Sequence, residues 1–284
     1  MTGFITRLRT WLLIAALSGL LVAIGFLLGG SYIYLFFGLA VIMNFFGYFF
    51  SDKVALASSR AQPIEESQAP DLYADIRELT QRGELPMPRV YLIPSEQPNA
   101  FATGRNPKHA AVAVTQGLLT LMPREQVKGV LAHELSHVKN RDILVASIAA
   151  MIGSVITWLS YMFIFFGGDS ENNSPIGAIG SLVALIVGPL AATLLQLGIS
   201  RQREYLADAS GAKLLGQAAP LANALESLER ASQAIPMQVN PATESLYISN
   251  PLRARGMSKL FSTHPPIEER VRRLRAMDAA HGVA

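Results

Sequence analysis

The chain has 284 residues, half of them apolar and only 16% charged, with a formal net charge of +3 and a positive mean hydropathy. That balance is too apolar for an ordinary soluble domain of this length, and the chain lacks the interleaved basic and aromatic residues of a nucleic-acid-binding surface. Cysteine is absent, which excludes disulfides, thiol nucleophiles and thiolate metal sites, so any metal must be held by His and carboxylate.

Four apolar runs, Trp11 to Leu28, Tyr32 to Phe50, Ile143 to Gly167 and Ile176 to Ile199, contain no Lys, Arg, Asp or Glu. Each is close to the roughly 20 helical residues that cross a hydrocarbon core, and together they predict two transmembrane hairpins, residues 1–50 and 143–199. The first run follows Arg7 and Arg9, but it has no small-x-small cleavage site and the second begins almost at once, so it reads as a retained anchor. Arg7 and Arg9, Lys53 and Arg60, Lys139 and Arg141, and Arg201 and Arg203 all flank the runs on one side. That side is expected to be the cytoplasm. The polar segments 51–142 and 200–284 then lie together in the cytoplasm, as one domain that is mainly α with a small β-sheet.

In the first segment "DLYADIRELTQRG" has helical spacing and ends at Gly83, "RVYLIP" and "AAVAVT" read as short strands, and Pro98-Asn99 and Asn106-Pro107 mark turns. Pro123 suits the first turn of the next helix, where Val127, Val130, Leu131, Leu135 and Val138 make an apolar stripe. That helix carries His133-Glu134-Leu135-Ser136-His137. Residues four apart project from one helix face, so His133 and His137 can offer imidazole nitrogens to a single metal ion. Glu134, one residue on from His133, can reach water at that metal without being a ligand. This is the arrangement of a zinc hydrolase with one Zn2+ per chain: the metal acidifies water and a carboxylate takes its proton.

No further His follows in Val138 to Asp142, so the third ligand must come from elsewhere. The hairpin at 143–199 returns the chain to where it left. Glu204, 67 residues after His137 (204 − 137), is thereby brought beside it. Asp208 lies one turn beyond on the same face, where a carboxylate can accept the second N–H of a ligating histidine. The rest of the second segment predicts helices at about Ser200 to Leu215 and Pro220 to Ala231, a proline-rich loop or lid over 232–252, and a last helix in "PPIEERVRRLRAM".

"VLAHELSH", "SRQREYLADASGAKL" and "FSTHPPIEERVRRL", set between paired hydrophobic hairpins, resemble the HtpX group of membrane-bound zinc metalloproteases, relatives of the type-1 CAAX prenyl protease. The resemblance implies a gluzincin-type site with His133, His137 and Glu204 on zinc and Glu134 as general base. It further implies a bacterial inner-membrane endopeptidase, active on the cytoplasmic side, that clears misfolded or damaged membrane proteins under stress. Its partners are then unfolded or membrane-protein substrates and the lipid bilayer, with no nucleic acid; the oligomeric state stays open.

The same resemblance points to "PNAFATG" and the strand after it. Asn99 and the main chain of Ala111, Val112, Ala113 and Val114, taken as an edge strand, are expected to pair with an extended substrate; Asn99 and Gly104 equally suit a turn. In "THPPIEER", Thr263 or His264 suits a helix cap. The chemistry also needs a donor for charge on the reacting carbonyl oxygen, and the resemblance assigns His264 and Arg270 to the active site. Two other functions fit the sequence less well. A zinc transporter requires His or carboxylate within its spans, and these spans have none. A non-catalytic zinc-binding adaptor would close its site with a fourth ligand and leave Glu134 idle.

Overall fold

The computed structural model describes residues 15, 19, 32–144, 201–235, 237, 246–248 and 265–281. The expected spans at 143–167, beyond residue 144, and at 176–199 lie outside the described residues, as do nearly all of 11–28, His264 and most of the 232–252 loop.

The first helix, α1 (Tyr32–Ser58), contains the apolar run Tyr32 to Phe50 and continues past it. It is described along its backbone and at only part of its side chains. Of those described from Tyr34 to Phe49, all are exposed and apolar except the half-buried Gly38 and Tyr48, whereas Ser51, Ala55 and Leu56 are buried. Among the described residues no helix is long and apolar enough to cross a membrane.

After β1 (Gln62–Pro63), α2 (Pro70–Gly83) opens on a proline whose missing N–H costs nothing in a first turn. It ends where Glu84 turns left-handed (φ 54°), with Leu85 N–H returning to the Thr80 carbonyl at 2.9 Å. The strands β2 (Arg89–Ile93), β3 (Ala100–Thr103) and β4 (Ala111–Thr115) join β1 in a mixed sheet of order β1-β2-β4-β3. β2 and β4 are parallel, in register from Arg89 against Ala111 to Ile93 against Thr115, and β3 is antiparallel to β4.

Alternation along β4 sorts its side chains between two cores. Val112 and Val114 join the apolar face of α2 and of α4 (Arg124–Asn140), while Ala111 and Ala113 face Ala55 and Leu56 of α1. Between β4 and α4 a short α3 (Gln116–Leu121) is capped by Thr115, whose Oγ1 accepts from Leu118 N–H at 3.1 Å. The expected stripe of α4 is fully realised: Val127, Val130, Leu131, Leu135 and Val138 are all buried. Truncating Leu131 or Leu135 to Ala would cost about 2–5 kcal/mol. Pro123 lies one residue outside this helix, at its N-cap, rather than in the first turn.

The remaining described helices are α5 (Arg201–Leu215), α6 (Ala219–Ala234) and α7 (Ile267–His281). Leu221, Leu225, Leu228 and Leu274 bury their apolar faces in the same core as α4. The described residues are thus mainly helical with one small sheet.

Candidate metal centre

One turn of α4 brings Nε2 of His133 to 3.2 Å from Nε2 of His137. His133 is buried and His137 half-buried. The third group comes from α5: Glu204 Oε2 is 3.7 Å from His133 Nε2, and its Oε1 is 3.5 Å from His137 Nε2. One ligand atom from each of the three lies within 4.8 Å of the others.

A stripe on α5 explains the close approach. Glu204, Asp208 and Gly211 succeed one another at spacings of four and three, on one helix face. A Cβ on Gly211 would meet the His133 backbone nitrogen at 3.1 Å. The absent side chain lets α5 lie directly on α4. The helices run antiparallel, because His137 faces Glu204 while His133 faces Asp208 and Gly211.

Each imidazole has a carboxylate at its other nitrogen. Asp208 Oδ1 is 3.0 Å from His133 Nδ1, as its spacing predicts. Asp208 is in turn gripped by Arg270 of α7, with Nε to Oδ2 at 2.8 Å and an Nη to Oδ1 at 2.7 Å. The second partner, Asp142, was not anticipated from the sequence. Arg141 turns left-handed (φ 62°), and Asp142 N–H returns to the His137 carbonyl at 2.9 Å while Arg141 N–H reaches Val138. This helix-ending turn folds Asp142 back so that Oδ2 stands 3.4 Å from His137 Nδ1. The sequence signal was the bare position of an Asp just past a helix end, which by itself says nothing of a left-handed turn.

The electrostatics follow from this burial. Burial, aided by the Arg270 charge, pulls His133 down to about 4 against the pull of Asp208. Burial opposes the charge on His137 too, but the Asp142, Glu204 and Glu134 carboxylates together push it up to about 9. Burial likewise disfavours the Asp208 carboxylate, and Arg270 overrides it, holding that group at about 2. Arg270 is fully buried. Besides Asp208, its guanidinium lies 3.5 Å from Glu204 Oε2 and 3.4 Å from the Ile248 carbonyl. Arg270, expected as a donor to a reacting carbonyl, stands with its guanidinium against the Asp208 and Glu204 carboxylates.

Glu134 is buried beside this group, and Ala102 N–H of β3 donates to its Oε2 at 2.8 Å. Burial, with Glu204 nearby, pushes its carboxyl up to about 8. One expectation is corrected here. Ala111, Val112, Ala113 and Val114 do not form an edge, because β4 is paired to β2 on one side and to β3 on the other and is buried throughout. The edge strand beside the site is β3, and at its Ala100 end Ile248 N–H already reaches the Ala100 carbonyl at 3.1 Å. Asn99 is buried and tied to Thr115: its N–H donates to Thr115 Oγ1 at 2.8 Å and its carbonyl accepts from Thr115 N–H at 3.0 Å. These bonds set the entry into β3. His109 is exposed, with Asn106 Oδ1 at 2.9 Å.

The model of peptidase family M48 matches residues 66–278. A protein named protease HtpX homolog from Pelotomaculum thermopropionicum is 52% identical, over 95% of this chain and 99% of its own length. Proteins of the same name from Syntrophobacter fumaroxidans, 52% identical over 96% of this chain and 99% of that one, and from Thermococcus sibiricus, 47% identical over 98% of each, are similarly close. The crystal structure of S. mikatae Ste24p has the same fold, with a TM-score of 0.52 over 96% of this chain and 66% of that one, at 19% identity.

Proposed function

The chain belongs to peptidase family M48 and is a metallopeptidase; from that premise we propose that it is a zinc endopeptidase in which His133, His137 and Glu204 hold the metal and Glu134 moves the proton. The observation that carries this reading is the convergence of three donors within 4.8 Å, with Glu134 adjacent in the chain and turned to Ala102 instead. The donor set fits zinc, since two imidazoles and one carboxylate are the usual protein complement of a catalytic zinc that keeps an open position.

Bound there, zinc supplies Lewis acidity, which acidifies water and polarises a peptide carbonyl. The chain's own groups do the rest. Glu134 stands beside the three donors, and Ala102 N–H fixes where its Oε2 accepts. Glu134 can therefore take a proton from water and hand it to the departing amide nitrogen. Asp208 and Asp142 orient the two imidazoles through their Nδ1 atoms, and Arg270 acts as a positioning residue that keeps Asp208 charged. An extended substrate would lie along the β3 edge, beyond the end taken by Ile248 and beside the Ala102 N–H that holds Glu134.

The resemblance to the HtpX group supports a finer reading: a multi-pass enzyme of the bacterial cytoplasmic membrane, with its site on the cytoplasmic side, that removes misfolded or damaged membrane proteins under stress. The exposed apolar face of α1 supports contact with lipid. The test is to purify the full chain in detergent, measure zinc per chain, and follow hydrolysis of an unfolded protein. One zinc per chain, and hydrolysis lost on chelation and restored by zinc, is the expected result. Metal-free, folded protein that still cleaves would refute it.

A further inference from the structure

β3 leads away from the metal centre. Its Ala102 touches Glu134, and three residues later (105 − 102) the chain reaches Arg105, whose guanidinium carbon lies 5.3 Å from the centre of the Phe49 ring on α1. Phe49 ends a series of exposed apolar side chains that includes Tyr34 at 83%, Phe37 at 58%, Phe45 at 55% and Phe46 at 50%. Their spacing puts them on one side of α1.

Just past Phe49 the character of the helix changes. Lys53 Nζ stands 4.9 Å from the centre of the Phe50 ring, and Arg89 reaches Asp52 at 2.6 Å. An apolar face that ends in aromatic rings, with cations over the last of them, is the pattern of a membrane interface: rings sit at headgroup depth and long basic side chains reach outward to phosphate. The β3–β4 loop, residues 104–110, lies at this level and contains no carboxylate, and its Lys108 and His109 are exposed.

We infer that this loop is a membrane-surface contact in which Arg105 and Lys108 take anionic lipid headgroups, and that it holds the metal centre close enough to the bilayer to select the polar stretch directly adjoining a membrane span as substrate. The inference rests on the lipid-contact reading of α1 and extends it to the site. β3 ends at Thr103, and even fully extended the three residues from Ala102 to Arg105 span at most about 10 Å, which bounds the distance from the Glu134 contact to headgroup level. An extended peptide leaving the bilayer covers that distance in roughly three residues. The competing account is that Arg105 only packs the loop onto α1 and never meets lipid.

The chain has no cysteine, so single cysteines at Phe45, His109 and Thr120 can each carry a polarity-sensitive fluorophore in the full protein, reconstituted in vesicles of phosphatidylglycerol and phosphatidylcholine. Lipids brominated deep in the acyl chain should quench the label at 45. Lipids brominated near the headgroup should quench the label at 109, and neither should quench the label at 120, beyond the far end of β4. Quenching at 45 without quenching at 109 would overturn the inference and leave lipid contact by α1 standing; absence of quenching at 45 would remove both. In the same vesicles, Arg105→Glu with Lys108→Glu should lower cleavage four residues from a span by roughly tenfold, with a short soluble peptide cleaved as in wild type. Equal loss on both substrates would show damage to the site instead and would also overturn the inference.

Discussion

Asp208 stands between Arg270 and His133, accepting two hydrogen bonds from the guanidinium at 2.8 and 2.7 Å and lying 3.0 Å from the imidazole Nδ1. The pair is almost completely buried, Arg270 at 0% and Asp208 at 4% exposure. Removing one partner strands the other's charge away from water. Arg270→Ala is therefore expected to cost about 3–5 kcal/mol of stability, seen as a lower Tm, together with weaker zinc binding in competition with a chelator. An unchanged Tm would mean that this ion pair does not form as described.

Glu134→Gln and Glu204→Ala separate proton transfer from metal binding. The first keeps shape and the Ala102 hydrogen bond but loses the base; it should retain zinc and lose about 100-fold or more in kcat. The second removes a ligand and should bind less than one zinc per chain. Glu134→Gln turning over at the wild-type rate would end the proposed mechanism.

Asp142 is the carboxylate behind His137. Asp142→Ala should weaken zinc affinity by about 10–100-fold, as loss of a ligand's hydrogen-bonded partner does elsewhere. Asp142→Asn, which retains an acceptor oxygen, should lose less. Affinity equal to wild type in both variants would reduce Asp142 to a helix-end clip.

Without metal, His137 is pushed up to about 9 and Glu134 up to about 8, each above its ordinary value. A raised His contributes stability that is present below about 6.5 and lost as pH rises through 9, and a raised Glu acts in the same direction between about 4.5 and 8. His133, held at about 4, stays neutral above pH 6.5 and adds nothing there. Metal-free protein should therefore lose stability from pH 6.5 to 9. Zinc needs the lone pair of His137, so its binding releases a proton below pH 9 and strengthens as pH rises. The difference in Tm between zinc-loaded and chelated protein should grow across that window; a shrinking difference would contradict the assignment.

The proposed orientation can be read with single cysteines at Ser95, Ser170 and Ser245 in intact cells. A membrane-impermeant thiol reagent applied from outside should label position 170 and neither of the others. Labelling at 95 would move the metal centre to the opposite face.

Much of the site was legible because helix geometry is local. Four residues of α-helix always return to the same face, so His133 and His137 belonged together from their spacing, as did Glu204 with Asp208. The step between the two helices came from expecting the apolar stretch between them to return the chain to where it left, and Glu204 does stand 3.5 Å from His137. Helix extents were close for the same local reason: Pro70 opens α2 and Gly83 ends it, and the apolar stripe of α4 is buried as its period requires.

What the tertiary structure alone decided are the relations that no local period encodes. "AFAT" is too short and too poor in branched side chains to announce a strand, yet β3 takes the edge and makes β4 interior, so Ala111–Thr115 is not the edge beside the site and Ala100–Thr103 is. Strand order is settled by which faces can be buried together, a property of the whole core. Asp142 reaches His137 only because Arg141 adopts a left-handed turn, a conformation costly for a residue with a side chain and stabilised here by the hydrogen bonds that end the helix. Arg270 lies 66 residues from Glu204 (270 − 204), and its buried charge was bound to seek the nearest carboxylates. Packing of α7 in the core of α4 and α5 made those Asp208 and Glu204, because a fully desolvated guanidinium is tolerable only where anions already stand.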